Sequence, residues 1–184
     1  MKAYFGSNGE GKFVIETPDW LKEDVIEEFG QYYDPCPVDP VECGLAADWS
    51  ARVADMEKDC VYVNPPYTRG SIAQWVQKCG EEHAKGCGPI VLLIPSYTDT
   101  AYFHDWIYEK PGVDVRFFKG RIQFKGYKTA RASFPSMLVI FGADSERSLD
   151  ASPRPFSNSL VAPDLLSAFS HPSQMSLKDF LKGN

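Results

Sequence analysis

Cys60-Val61-Tyr62-Val63-Asn64-Pro65-Pro66-Tyr67 is the stretch on which the reading of this chain turns. Four β-prone residues run into an asparagine, two prolines and an aromatic, the pattern of a strand stopped by a rigid turn. Neither proline has an N–H, so the loop presents carbonyl oxygens and one amide side chain with few competing donors. An exocyclic NH₂ on a planar ring offers two hydrogens, and this loop has acceptors for both. Tyr67 adds a flat face on which such a ring can stack. The plainer alternative is a structural Pro-Pro turn.

Outward from this loop, helices and apolar strands alternate. Thr17-Pro18-Asp19 reads as a helix start, with Thr as cap, Pro in the first turn and an acid beside the dipole. Trp20, Leu21, Val25 and Phe29 follow at helical spacing, and Gly30 is a stop. Gln31-Tyr32-Tyr33 reads as a strand running into Asp34-Pro35-Cys36-Pro37. Residues 37–59 are rich in turn formers. A helix is expected from Ser71 to Lys85, with Ile72, Trp75, Val76, Cys79 and His83 on one face. Ile90–Ile94 is a continuous apolar run, typical of a strand buried on both faces. Ala101–Tyr108 reads as a helix packing Phe103, Trp106 and Ile107 inward. Val113–Phe118 is a strand, with Arg121–Phe124 as its extension, and Ser136–Phe141 is another. No helix separates these last two, so they are expected to pair antiparallel. Lys12–Ile15 reads as a short strand or arm. After Ala143 the chain turns Ser- and Pro-rich, which predicts a weakly structured tail over 143–184 with short helical segments behind a domain of residues 1–142.

This alternation predicts an α/β sheet with helices on both faces, and such sheets bind ligands beyond the carboxyl ends of their strands. Asp34 and Asn64 both fall at such ends. Asp34 is then either a cofactor contact or the acid of an Asx turn. Asp48 and Trp49 are either a second cofactor contact or a turn acid and a core tryptophan.

The totals fit a soluble, intracellular, globular protein: 43% apolar residues, no run long enough to span a membrane, and no apolar signal region at the start. Five scattered cysteines do not suggest a disulfide framework. Cys79-x₃-His83-x₃-Cys87 has the residue types of a metal site, but core packing on an amphipathic helix explains it better. The net charge of −6 argues against a general nucleic-acid coat. Yet Arg116, Lys119, Arg121, Lys125, Lys128 and Arg131 lie in a run without an acidic residue. Such a stripe is either a local contact for an anion or a solvated hairpin guarded by its charges.

Taken in order, these segments resemble the phage-type DNA N6-adenine methyltransferases, the Dam family. The resemblance covers roughly residues 16–142. It rests on Thr17-Pro18, on Phe29-Gly30 leading to Asp34-Pro35-Cys36, and on Leu45 through Asp48-Trp49. Val63-Asn64-Pro65-Pro66-Tyr67 with Arg69 and Trp75 continues it. Leu93-Ile94-Pro95, Thr98-Asp99-Thr100, Phe103-His104, Lys119-Gly120-Arg121-Ile122 with Phe124, and Phe134-Pro135-Ser136 complete the series.

The resemblance implies a compact, trimmed Rossmann-like sheet, mostly parallel with an antiparallel C-terminal strand, that binds S-adenosylmethionine and methylates adenine N6 in DNA. It places Asn64, Pro65, Pro66 and Tyr67 around the target amine. Thr17, Asp34, Pro35, Cys36, Asp48 and Trp49 are placed near the cofactor. Arg69, Lys119, Arg121, Lys125, Lys128 and Arg131 become the contacts to DNA, and a phage-encoded protein of this kind would work in the host cytoplasm. Two departures stand out. No glycine-rich loop follows Asp34, and about thirty residues separate Asp34 from Asn64, too few for two intervening βα units. An RNA adenine, a cytosine N4 or a protein glutamine amide also presents an NH₂ to such a loop. A nucleic-acid-binding module that lost its cofactor site is the reading of another class. The tail is a candidate partner contact.

Overall fold

Five strands assemble into one open sheet, and the strand ending on Asn64 lies inside it. The structure, a computed structural model, describes residues 2–5, 13–37, 40–68, 70–125 and 132–142, with side chains from residue 16 onward. In chain order the elements are β1 (Lys2–Phe5), β2 (Phe13–Glu16), α1 (Asp19–Phe29), β3 (Tyr32–Tyr33) and α2 (Trp49–Asp55). They continue with β4 (Cys60–Val63), α3 (Ser71–Ala84), β5 (Ile90–Pro95), α4 (Ala101–Trp106), β6 (Val113–Phe117) and β7 (Ser136–Phe141). By internal contacts the chain divides into Met1–Arg154 and Pro155–Asn184. The second unit, like the expected tail as a whole, lies outside the described residues.

The sheet order is β3-β4-β5-β7-β6. β3, β4 and β5 are parallel, because a helix carries the chain back between each pair. β7 runs antiparallel to both β5 and β6, so β6 points the same way as the first three. The expected antiparallel pairing of the last two strands is present. The fold is a mixed α/β sheet, mostly parallel, with one reversed strand.

Both faces are covered. Val61, Val63, Ile90, Leu92, Ile94, Met137, Val139 and Phe141 point to one side, where Trp49 of α2, Trp75, Val76 and Cys79 of α3, and Phe103 of α4 close the core. α1 lies against the other face. There Arg116 of β6 holds Glu28 at 2.6 and 2.8 Å and sits over the Phe29 ring, and Trp20 meets Phe118 edge-on. Every residue of β4, β5 and β7 is therefore buried, which is why these strands read as unbroken apolar runs.

Several local expectations change. Thr17 does not cap α1: the cap position is Pro18, with no side-chain bond. α1 does stop at Gly30, whose φ of 81° suits glycine, and a side chain there would collide with Asp59, which accepts the Gln31 N–H. α2 was hidden in the turn-rich stretch, since a seven-residue helix with only Trp49 fully buried shows no periodicity. β1 pairs with β2 as a separate antiparallel hairpin. Residues Arg121–Phe124 are not strand: Gly120, at φ 90°, turns the chain out of line with β7. The segment instead accepts the Ala132 N–H at Ile122 and bridges Lys125 to Glu16. α4 ends at Trp106, before a turn through Glu109 at φ 53°.

Candidate active site

Strand β4 delivers Asn64 into a fully buried position. Its Nδ2 donates to Thr17 Oγ1 at 3.1 Å, and that hydroxyl lies 3.3 Å from the Tyr62 hydroxyl. Asn64 Oδ1 is buried too and has no partner among the described residues. The two prolines that follow have no N–H to offer it. An orphaned buried acceptor costs about 1–3 kcal/mol, so the loop carries an unmet demand for a donor.

Tyr67 is held more firmly than its sequence position suggests. Its hydroxyl donates to the Leu93 carbonyl at 3.1 Å. Its ring packs edgewise on Phe134, with centroids 5.5 Å apart, and on Phe124 at 6.4 Å. Burial pushes the phenol far above its ordinary range. The stacking face expected of Tyr67 is thus largely taken up by its own neighbours. What remains of it lines an open cavity of about 370 Å³ with Ile72, Tyr97, Thr100 and Tyr102. Tyr97 is exposed there.

At the neighbouring strand end, Asp34 Oδ1 accepts the Cys36 N–H at 2.8 Å, closing an Asx turn. Its other oxygen has no partner among the described residues. Burial lifts the carboxyl from its ordinary value to about 6, against the pull of the Cys36 N–H. Burial, and then Asp34 itself, push the Cys36 thiol up to about 12, so it stays a thiol. Pro35 is buried, with its carbonyl pressed so closely on Gly44 that a Cβ there would collide with it.

Trp49 and Asp48 take the plainer of their two readings. Trp49 is fully buried and stacks on Trp75 at 6.3 Å, so it has no face to give a cofactor. Asp48 caps α2 by accepting the Ala51 N–H at 3.0 Å. Behind them lies a cluster the sequence reading missed. Glu82, 1% exposed, accepts from Lys78 at 2.7 Å, from Lys85 at 2.9 Å and from the Trp49 N–H at 3.1 Å. Lys78 also donates to the Ala47 carbonyl at 2.8 Å. Burial opposes ionisation of Glu82, but the two lysines and the Trp49 N–H together hold its carboxyl below the usual range. The available signal was an acid on an apolar stripe: Trp75, Cys79 and Glu82 share one side of α3.

The basic stripe divides. Arg116 is engaged by Glu28 and by Asp114 at 3.0 Å, clamping α1 to the sheet rather than facing solvent phosphate. Lys125 is ion-paired with Asp19. Lys119 and Arg121 are exposed, with no ion pair among the described residues. Arg69, Lys128 and Arg131 lie outside the described residues. Cys79 and Cys87 are core residues, and His83 lies beside the Phe141 ring. Among the described residues no three potential metal ligands cluster, and no helix is long and apolar enough to cross a membrane.

This ordered set of strand ends can be compared with known families. The profile of the DNA N-6-adenine-methyltransferase (Dam) family matches residues 10–152, from before β2 to beyond β7. The chain belongs to the Dam family. Nothing matches among curated proteins or among solved structures. A Dam protein is in general a DNA adenine methyltransferase, and its substrate is DNA. Both Asn64 and Asp34 fall within the matched residues.

Proposed function

We propose that this Dam protein transfers a methyl group from S-adenosylmethionine to the N6 amine of adenine in DNA by direct in-line displacement. The observation that carries this reading is Asn64 Oδ1, buried and unpartnered among the described residues at the end of an interior strand, followed by two prolines that have no N–H. An incoming amine would supply the missing donor. Asn64 Oδ1 and the Pro65 carbonyl would each accept one N6 hydrogen, which draws the nitrogen lone pair out of conjugation with the ring. Positioning and electrostatics then supply most of the catalysis, and no nucleophilic side chain is required.

Adenine must leave the duplex to reach such a loop. The cavity beside Tyr67 is a suitable receptacle, with Tyr97 rather than the locked Tyr67 giving the more open aromatic surface. Tyr67 holds the loop's shape through the Leu93 bond and the Phe124 and Phe134 rings, and Pro66 stiffens it through its fixed φ. Lys119 and Arg121 would meet phosphates, with Arg69, Lys128 and Arg131 as further candidates.

Asp34 fits the cofactor. A carboxylate with one oxygen free at the end of β3 suits the ammonium or a ribose hydroxyl of S-adenosylmethionine, and Pro35 and Cys36 shape the turn beside it. The bound cofactor supplies an electrophilic methyl. Asp34 would orient it toward the neighbouring strand end. The sheet is read as a trimmed Rossmann-like one, with β3 as its edge.

The deciding experiment incubates the full chain with tritiated S-adenosylmethionine and unmethylated DNA, followed by nucleoside analysis. Label in N6-methyldeoxyadenosine is the expected outcome. Label in cytosine, in RNA alone or in protein would replace the substrate. Calorimetry that detects no S-adenosylmethionine binding, with or without DNA, would leave a nucleic-acid-binding module.

A further inference from the structure

Thr17 stands where a helix cap is expected and is used differently. Its side chain is fully buried, and α1 has no side-chain cap. Its hydroxyl lies between two groups that are 45 and 47 residues away in the chain, the Tyr62 hydroxyl at 3.3 Å and Asn64 Nδ2 at 3.1 Å. We infer that Thr17 is a positioning residue for Asn64, accepting the Nδ2 hydrogen so that Oδ1 is the atom turned to the substrate amine. This rests on the function proposed above.

A carboxamide has two flips of nearly the same shape, one presenting an acceptor and the other a pair of donors. An amine needs the acceptor. With Nδ2 on Thr17, the outward atom is Oδ1. In the reverse flip, NH₂ would face NH₂, and the two prolines have no N–H with which to favour the correct orientation. Thr17 selects this flip when its own hydrogen goes to the Tyr62 oxygen, because Oγ1 can then only accept from Asn64. Burial holds the Tyr62 phenol protonated, so this chain of hydroxyls keeps its hydrogens across the ordinary pH range. The same geometry assigns Thr17 to Asn64 rather than to the cofactor, since its hydroxyl is already engaged by Tyr62 and Asn64.

Thr17→Val keeps the side-chain shape and removes the hydroxyl. With tritiated S-adenosylmethionine and unmethylated DNA, kcat is expected to fall on the order of tenfold or more. The KM values for both substrates should stay within about twofold. Thr17→Ser should restore most of the rate. By NMR, the Asn64 side-chain NH₂ should be protected from exchange in the wild type and in Thr17→Ser, and lose that protection in Thr17→Val. Tyr62→Phe, which removes one partner of Thr17, should lower kcat severalfold without moving KM, and it keeps the inference open to test if Thr17→Val does not fold. Unchanged kcat in Thr17→Val, or unchanged kcat in Tyr62→Phe, would overturn the positioning role. A loss carried by KM for S-adenosylmethionine would return Thr17 to the cofactor. A wild-type chain that transfers no methyl overturns the proposed function, and this inference with it.

Discussion

Asn64 and Asp34 each follow the last residue of two neighbouring parallel strands, yet one is held by the sheet and the other by a loop. β4 has β3 on one side and β5 on the other, and its end is tied across the molecule to Thr17 and, through Tyr67, to Leu93. β3 is two residues long, pairs only with β4 among the described residues, and lies at the edge. Its end is shaped by an Asx turn and by the Pro35–Gly44 contact. Gly44 is fixed in turn by the Trp49 indole N–H at 2.8 Å, and Trp49 by Glu82. An interior strand end inherits its rigidity from two ladders. An edge strand end borrows it from a buried ionic cluster on α3.

Six substitutions test that contrast. Asn64→Ala should have the largest effect: kcat falls about a thousandfold. The S-adenosylmethionine affinity measured by calorimetry should be unchanged, separating the two strand ends. Glu82→Ala should lower stability by about 3 kcal/mol in urea unfolding, because it strands Lys78 in a buried site and leaves the Trp49 N–H unpaired. The folded-state pKa of Glu82 is depressed, so its contribution is full above the ordinary carboxylate range and is lost as acid protonates it.

Asp34 has the opposite sign. Burial raises its carboxyl from 3.8 to about 6, so its stabilising effect is full below 3.8 and is lost as pH rises through about 6. A cofactor ammonium favours the ionised form. S-adenosylmethionine affinity should therefore rise about tenfold between pH 5 and pH 7, and Asp34→Asn should flatten that profile. Smallest is the effect on DNA contacts. Lys119→Ala or Arg121→Ala should reduce the salt slope of DNA binding by about one each. Arg116→Ala should leave the slope unchanged and instead lower stability by about 1 kcal/mol, since its partners are Glu28 and Asp114.

Much of the frame was legible because it depends on local pattern. The apolar runs of β4, β5 and β7, the stripe on α3 and the Gly30 stop are written in neighbouring residues. Other features were not. α2 is too short to show a period, and β1, the partner of the short strand expected over Lys12–Ile15, was not anticipated. Arg116 looked like its exposed neighbours in a basic run, but its alternation along β6 turns it to α1. Thr17 had every mark of a helix cap, and a distant asparagine claimed its hydroxyl. Glu82 sat on an apolar stripe, and the Lys78 and Trp49 groups that make such burial tolerable come from side-chain geometry and from the start of α2, 33 residues away.

By itself the sequence determined the proline-flanked asparagine at a strand end, the alternation of buried strands and helices, and the family to which their order belongs. These follow from backbone restriction and from which residues avoid water, both properties of short segments. Only the tertiary structure decided which polar groups meet. It left Asn64 Oδ1 without a partner among the described residues, gave Nδ2 to Thr17, locked Tyr67 and sent Trp49 to the core. Hydrogen bonds between residues far apart in the chain depend on where the sheet and its helices bring them, and no local pattern carries that distance.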